Sequence, residues 1–172
     1  MQLKRIITGV MLGTAMLLPT ACQEVQTSKR STFKGQYFAA RGALESGEYT
    51  RASRSYKALL AKSGPLSTRL RLEYAHSLLR ENKFKAAAQE ARIISETEIG
   101  DARIAALAVR GTAEHEIART AMARGSRDET TRNTLKSAAR ALDEVIKQGK
   151  SFDPLGSMAE RRRIIGQELA QL

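Results

Sequence analysis

Tryptophan is absent from this chain of 172 residues, cysteine occurs once, proline three times, and aromatic side chains make up only 5% of the total. A single cysteine, Cys22, excludes an intramolecular disulfide in any compartment. The scarcity of aromatics disfavours sheet architectures, and the prevalence of Ala, Leu, Arg, Glu and Lys makes an all-α fold the expected class. Only two histidines exist, His76 and His115, with no H-x-x-x-H or C-x-x-C pair, so no metal site is expected. Neither a G-x-S-x-G elbow nor a phosphate-binding glycine loop is present, and no cofactor is expected. Glu114-His115-Glu116 combines acid and base types, but consecutive helical residues point in different directions and cannot converge on one atom. The expectation there is solvated helix surface, and the chain is not expected to be an enzyme. Arg161-Arg162-Arg163 is likewise expected to be a solvated face, with contact to anionic lipid or polysaccharide as the functional alternative.

Acid is scarce relative to base, with 29 Lys and Arg against 18 Asp and Glu, for a formal charge of +11. Lys4 and Arg5 precede an apolar stretch from Ile6 to Leu18, then Pro19, Thr20, Ala21 and Cys22. That stretch is too short to span a bilayer comfortably and reads as an export leader, residues 1–21. Without it the chain keeps 27 basic and 18 acidic residues, or +9. Inside a cell such a charge would point to nucleic acid; after export the expected partners are acidic protein, anionic lipid or envelope polysaccharide, with no nucleic acid. Residues 22–33 are mostly polar and read as a flexible tether.

Leu17-Leu18-Pro19-Thr20-Ala21-Cys22 resembles the lipobox of bacterial lipoproteins. That family usually has Leu three residues before the cysteine, where Pro19 stands here. The resemblance implies cleavage before Cys22, a diacylglycerol on its thiol, and membrane attachment through a lipid anchor. Gln23, rather than Asp, implies an outer-membrane lipoprotein facing the periplasm. Soluble periplasmic export is the alternative, although no site offers small residues at both one and three positions before a cut.

From Gln36 onward the sequence takes a helical period, and it matches itself at a shift of 35 residues. Ala40 to Ala52 falls on Ala75 to Ala87, with Gly47 on Asn82 and Tyr49 on Phe84. Gly and Asn best accept a positive φ, which ends a helix and turns the chain back. The second helices carry Ala52, Tyr56, Leu59, Leu60 and Ala87, Ala91, Ile94, each one apolar stripe, with Tyr49 and Phe84 wedged between helices. The order of small residue, turn residue, aromatic and small residue resembles the tetratricopeptide repeat over roughly residues 34–97. Gln36 and Arg71 replace that family's bulky first-helix residue, Ala91 its later aromatic, and Pro65 supplies its closing proline once.

The resemblance implies antiparallel hairpins stacked as a short solenoid over 34–172, with repeats at about 34–66 and 69–100. A longer hairpin follows at 101–149, either a diverged repeat or a capping hairpin, with Asp101 expected as a cap and Ile104, Leu107, Ala108, Gly111 and Ile117 as its packed side. Gly125-Ser126 should break it, and Leu135, Ala138, Ala139, Leu142, Val145 and Ile146 should form the buried face of its second helix. A capping helix is expected over 154–172, with Asp153 as cap, Pro154 at the first helical position, and Leu155, Met158, Ile165, Leu169 and Leu172 as its stripe.

Transferred from that family, the groove positions are Lys34, Tyr37, Arg41, Leu44 and Glu45 in the first repeat, and Arg69, Leu72, His76, Leu79 and Arg80 in the second. Leu44, Leu72 and Leu79 have packing as their alternative role. The expectation is a non-enzymatic envelope scaffold whose groove takes an acidic or mixed apolar segment of a protein partner. Relatives of this kind serve secretion, pilus (for example Flp, or tight-adherence) or outer-membrane assembly machines. The alternative is a basic lipoprotein binding polyanions or peptidoglycan through diffuse charge.

Overall fold

Turns, more than helix propensity, set the layout of this chain. The computed structural model describes residues 32–172, where seven α-helices and no strand are found. They are α1 (Phe33–Glu45), α2 (Tyr49–Leu60), α3 (Ser67–Arg80), α4 (Phe84–Thr97), α5 (Gly100–Ala123), α6 (Glu129–Lys147) and α7 (Ser157–Leu169). Cys22, the leader and the tether up to Ser31 lie outside the described residues. α1 starts three residues before Gln36 because the Thr32 hydroxyl accepts the Gly35 N–H and caps it.

Three helices end in the same way. Gly47 (φ 83°), Asn82 (φ 61°) and Gly125 (φ 88°) are left-handed. The next residue's N–H returns to a carbonyl five positions back: Glu48 to Ala43, Lys83 to Leu78, Ser126 to Ala121. This closes the orphan carbonyls of each helix end and reverses the chain. Asn82 is the sole non-glycine with a positive φ among the described residues, so the repeat register correctly located a turn that a search for glycine alone would miss.

Each helix packs on the next, and α3 also packs on α5 and α5 on α7. The even-numbered helices meet chiefly their chain neighbours. The odd-numbered helices α3, α5 and α7 therefore form a contacting row. Small residues set the spacing: Ala40, Ala52, Ala75, Ala87, Ala91, Ala106, Ala113 and Ala138 are all fully buried. Between them sit Tyr56, Leu59, Leu70, Ile94, Leu135, Leu142, Val145 and Ile165, also fully buried, at about 1.5–3 kcal/mol for each large aliphatic. The α5/α6 approach is closest at Gly111, where a Cβ would stand 2.8 Å from Leu142 Cγ and 3.2 Å from the Ala138 carbonyl oxygen.

Four sequence expectations need correction. Asp101 is not a cap: Ile99 holds the N-cap position, Gly100 opens α5 at φ 59°, and Asp101 lies in the first turn, where its charge suits the helix dipole. The last helix begins at Ser157 rather than Pro154, because Gly156 (φ 69°) first turns the chain. Asp153 still serves that helix from outside it, accepting the N–H groups of Met158 at 3.0 Å and Ala159 at 2.9 Å. Leu155, in that turn, is 91% exposed and leaves the stripe to Met158, Ile165, Leu169 and Leu172.

The fourth correction concerns α5 and α7. His115 is not solvated surface but 2% exposed, its Nε2 2.7 Å from Glu168 Oε2 and its Nδ1 2.9 Å from Arg161 Nη1. Arg161 also donates to Glu116 at 2.7 Å, and Arg162 to Asp143 at 2.9 Å, so of the arginine run only Arg163 is an exposed residue. Because a guanidinium only donates, His115 Nδ1 is the acceptor and Nε2–H faces the carboxylate. Burial, assisted by Arg161, holds the imidazole below its ordinary pKa, with Glu168 opposing. Glu114 points elsewhere, to Arg110. The network docks α7 onto α5.

Candidate functional site

A groove runs along the odd-numbered row of helices. Its larger part, about 780 Å³, lies between α3, α5 and α7. The apolar side chains of Leu72 and Leu79 from α3, Ala105, Ala108 and Val109 from α5, Phe84 from the start of α4, and Met158 from α7 line it. Glu73, His76, Arg80, Glu116 and Arg161 supply its charged and titratable groups. A smaller part, about 320 Å³, continues over α1 with Arg41, Leu44 and Glu45, and shares Tyr49, Glu73, His76 and Arg80 with the larger part. Helical spacing explains the shared edge: residues 73, 76 and 80 recur every three or four positions on one side of α3.

Electrostatics divide the groove. Arg41 is tied to Glu45 at 2.7 Å within its own helix. Arg80 has no carboxylate partner among the described residues; its guanidinium lies over the Tyr49 ring, 5.0 Å from the centroid, and donates to the Tyr49 hydroxyl. Of the five guanidinium N–H groups one is used by that hydroxyl, and a carboxylate beside Arg80 would make a charge-assisted bond. His76 is exposed by area yet enclosed by the groove walls, and that desolvation, with Arg80 beside it, lowers its pKa against the pull of Glu73. The inner surface thus offers a cation, a neutral imidazole and an apolar floor.

Seven of the ten groove positions read from the sequence, Arg41, Leu44, Glu45, Leu72, His76, Leu79 and Arg80, line this groove. Leu44 and Leu79 are half-buried and also pack against the core, so the packing role holds for them in part. Lys34, Tyr37 and Arg69 are not brought into it. They line a separate depression of about 220 Å³ with Phe33, Phe38, Leu66 and Leu70, at the opposite ends of α1 and α3. Sequence reasoning missed the α5 and α7 contributions, Ala105, Ala108, Val109, Thr112 and Met158, because it transferred groove positions only where the 35-residue register applied.

Among the described residues no three His, Cys, Asp or Glu side chains are grouped to hold a metal ion, and no helix is long and apolar enough to cross a membrane. No protein-family model, curated protein or solved structure matches this chain.

Proposed function

We propose that this chain is a lipid-anchored adaptor of the bacterial envelope, built of tetratricopeptide-like hairpins with α7 as their cap, whose inner groove holds a segment of another protein. The observation that carries the reading is the continuous groove over α1, α3, α5 and α7, apolar at its floor, with Arg80 displayed on Tyr49. Such a surface suits a segment with apolar anchors and at least one carboxylate. Supporting the repeat assignment, Gly47 and Asn82 are followed at the same offsets by Tyr49 and Phe84 opening a helix and by the fully buried Ala52 and Ala87. The shared turn at Gly125 favours reading α5 and α6 as a third, lengthened repeat, set 43 residues beyond Asn82 rather than 35. Cys22 is the anchor, with the outer membrane facing the periplasm as the site of action, and a secretion, pilus or outer-membrane assembly machine as the setting.

The test reverses charge inside the groove. Arg80→Glu with His76→Glu changes two exposed residues, so helicity and melting should stay close to wild type while the partner that co-purifies from detergent-solubilised membranes is lost. Arg54→Glu with Arg140→Glu, exposed on α2 and α6, is the control and removes at least as much positive charge. If the control loses the partner as fully as the groove variant, binding is diffuse electrostatics and the groove reading falls. Arg161 to Arg163 would be a poor control, since Arg161 both lines the groove and holds α7 to α5.

A further inference from the structure

The depression at the starts of α1 and α3 is chemically unlike the groove. Phe38 is 56% exposed and Leu66 48%, and the two border the same hollow. Two cations edge it, each over an aromatic ring: Lys34 Nζ is 5.9 Å from the Phe38 centroid and the Arg69 guanidinium 5.6 Å from that of Tyr37. No carboxylate lines the hollow, and neither cation has an ion-pair partner among the described residues. Elsewhere arginines are commonly matched, as Arg71 is to Glu90, Arg103 to Glu144 and Arg162 to Asp143.

We propose that this face, formed by Lys34, Phe38, Leu66 and Arg69, seats against the anionic surface of a lipid bilayer. Aromatic and aliphatic side chains flanked by cations match an interface in which phosphate groups overlie acyl chains: Lys34 and Arg69 meet phosphates while Phe38 and Leu66 dip beneath them. An acidic protein segment would use the cations but gains less from a hollow whose lining, apart from Lys34, Arg69 and Tyr37, is wholly apolar. Position favours lipid as well. α1 begins at Phe33, eleven residues after Cys22, so an anchor at Cys22 keeps this face within about 40 Å of the bilayer. That proximity rests on the anchor proposed above; the surface chemistry does not. With this face on the membrane, the inner groove is held in a fixed orientation to the bilayer rather than at the end of a free tether.

The absence of tryptophan provides the probe. Phe38→Trp in the full chain places one fluorophore on the face, and Leu155→Trp places one in a remote exposed turn. Both are bound to vesicles of phosphatidylcholine and phosphatidylglycerol carrying brominated acyl chains. The expected result is a blue shift and strong quenching of Trp at 38 with little change at 155. Lys34→Glu with Arg69→Glu in the Phe38→Trp background should lower vesicle partitioning at least about tenfold, as should omitting phosphatidylglycerol. Unquenched emission at 38 from vesicle-bound protein overturns the proposal and leaves the face to a protein partner. Fatty-acid labelling of wild type and Cys22→Ser is run alongside. Quenching at 38 without labelling would remove the anchor and keep the face; labelling without quenching would do the reverse.

Discussion

One substitution should change sign with its position. Replacing a mid-helix glycine by alanine normally favours the helix by about 1 kcal/mol, because glycine loses more backbone entropy on folding. At Gly42 in α1 an added methyl meets nothing within 4 Å, and at Gly166 in α7 only Arg162 Nη1 at 3.6 Å. Both should gain close to the full increment. At Gly111 the new Cβ would lie 2.8 Å and 2.9 Å from Leu142 Cγ and Cδ2 and 3.2 Å from a backbone oxygen. Leu142 is fully buried, so it can yield only by moving α6. Overpacking of this kind costs about 1–3 kcal/mol, which exceeds the propensity gain, and the net expectation is a loss of about 1 kcal/mol. For a domain of this size that lowers the melting temperature by about 3 °C, while Gly42→Ala raises it by a similar amount. Thermal and urea unfolding followed by circular dichroism read both. Gly111→Ala in a Leu142→Ala background should cost less than in wild type, since both Leu142 contacts are gone and only the 3.2 Å approach to the Ala138 carbonyl oxygen remains. A Gly111→Ala protein as stable as wild type would refute the close α5/α6 approach.

Ala52→Leu and Ala87→Leu, at fully buried contacts of equivalent register, should each cost about 1–3 kcal/mol by denaturant unfolding; wild-type stability in both would show that the register is wrong. The Tyr56 hydroxyl is buried without a hydrogen-bond partner, so Tyr56→Phe should be neutral or stabilising by up to about 1 kcal/mol, and a clear loss would reveal an unrecognised partner. Because the folded pKa of His115 is depressed, the unfolded chain binds its proton first as pH falls below about 6.5. Its contribution is therefore full above that pH and is lost below it. Glu168, Arg161 and Glu116 face the ring, so the His115 share is read as the difference in melting temperature between wild type and His115→Gln from pH 7.5 to 5. A wild-type profile parallel to the variant's would contradict the assignment. His76, depressed in the same direction, is present in both proteins and cancels.

The helices were legible where one face alone is buried. The 35-residue self-match located Gly47, Asn82, Ala52 and Ala87, because turn geometry and close helix contact tolerate few residue types. α6, with Leu135, Ala138, Leu142 and Val145 on one side, was equally plain. α5 was legible in its extent and in Ile104, Leu107 and Gly111, but not in its further contacts, because it packs against α3, α4, α6 and α7 and so is buried on several sides. His115 is flanked by Glu114 and Glu116, and its partners Arg161 and Glu168 lie 46 and 53 residues away, beyond any local pattern. One signal was available: Ile104, Leu107, Gly111, His115 and Ala118 continue a single helical face, which places the imidazole inside. Pro154 and Leu155 misled because Asp-Pro opens helices and turns alike; the αL residue Gly156 settled the matter three residues later. Arg161 misled because a run of three like charges looks uniform in sequence, although its members face different helices.

The central claim, that the inner groove rather than the outer row receives a protein, is tested most directly by proximity in cells. A photo-reactive amino acid replaces His76, which faces the groove from α3, or Arg54, exposed on α2. Binding in the groove predicts a discrete cross-linked adduct from position 76, weakened when Arg80→Glu is added, and none from position 54. Equal adducts from both positions, or an adduct from 54 alone, would contradict it.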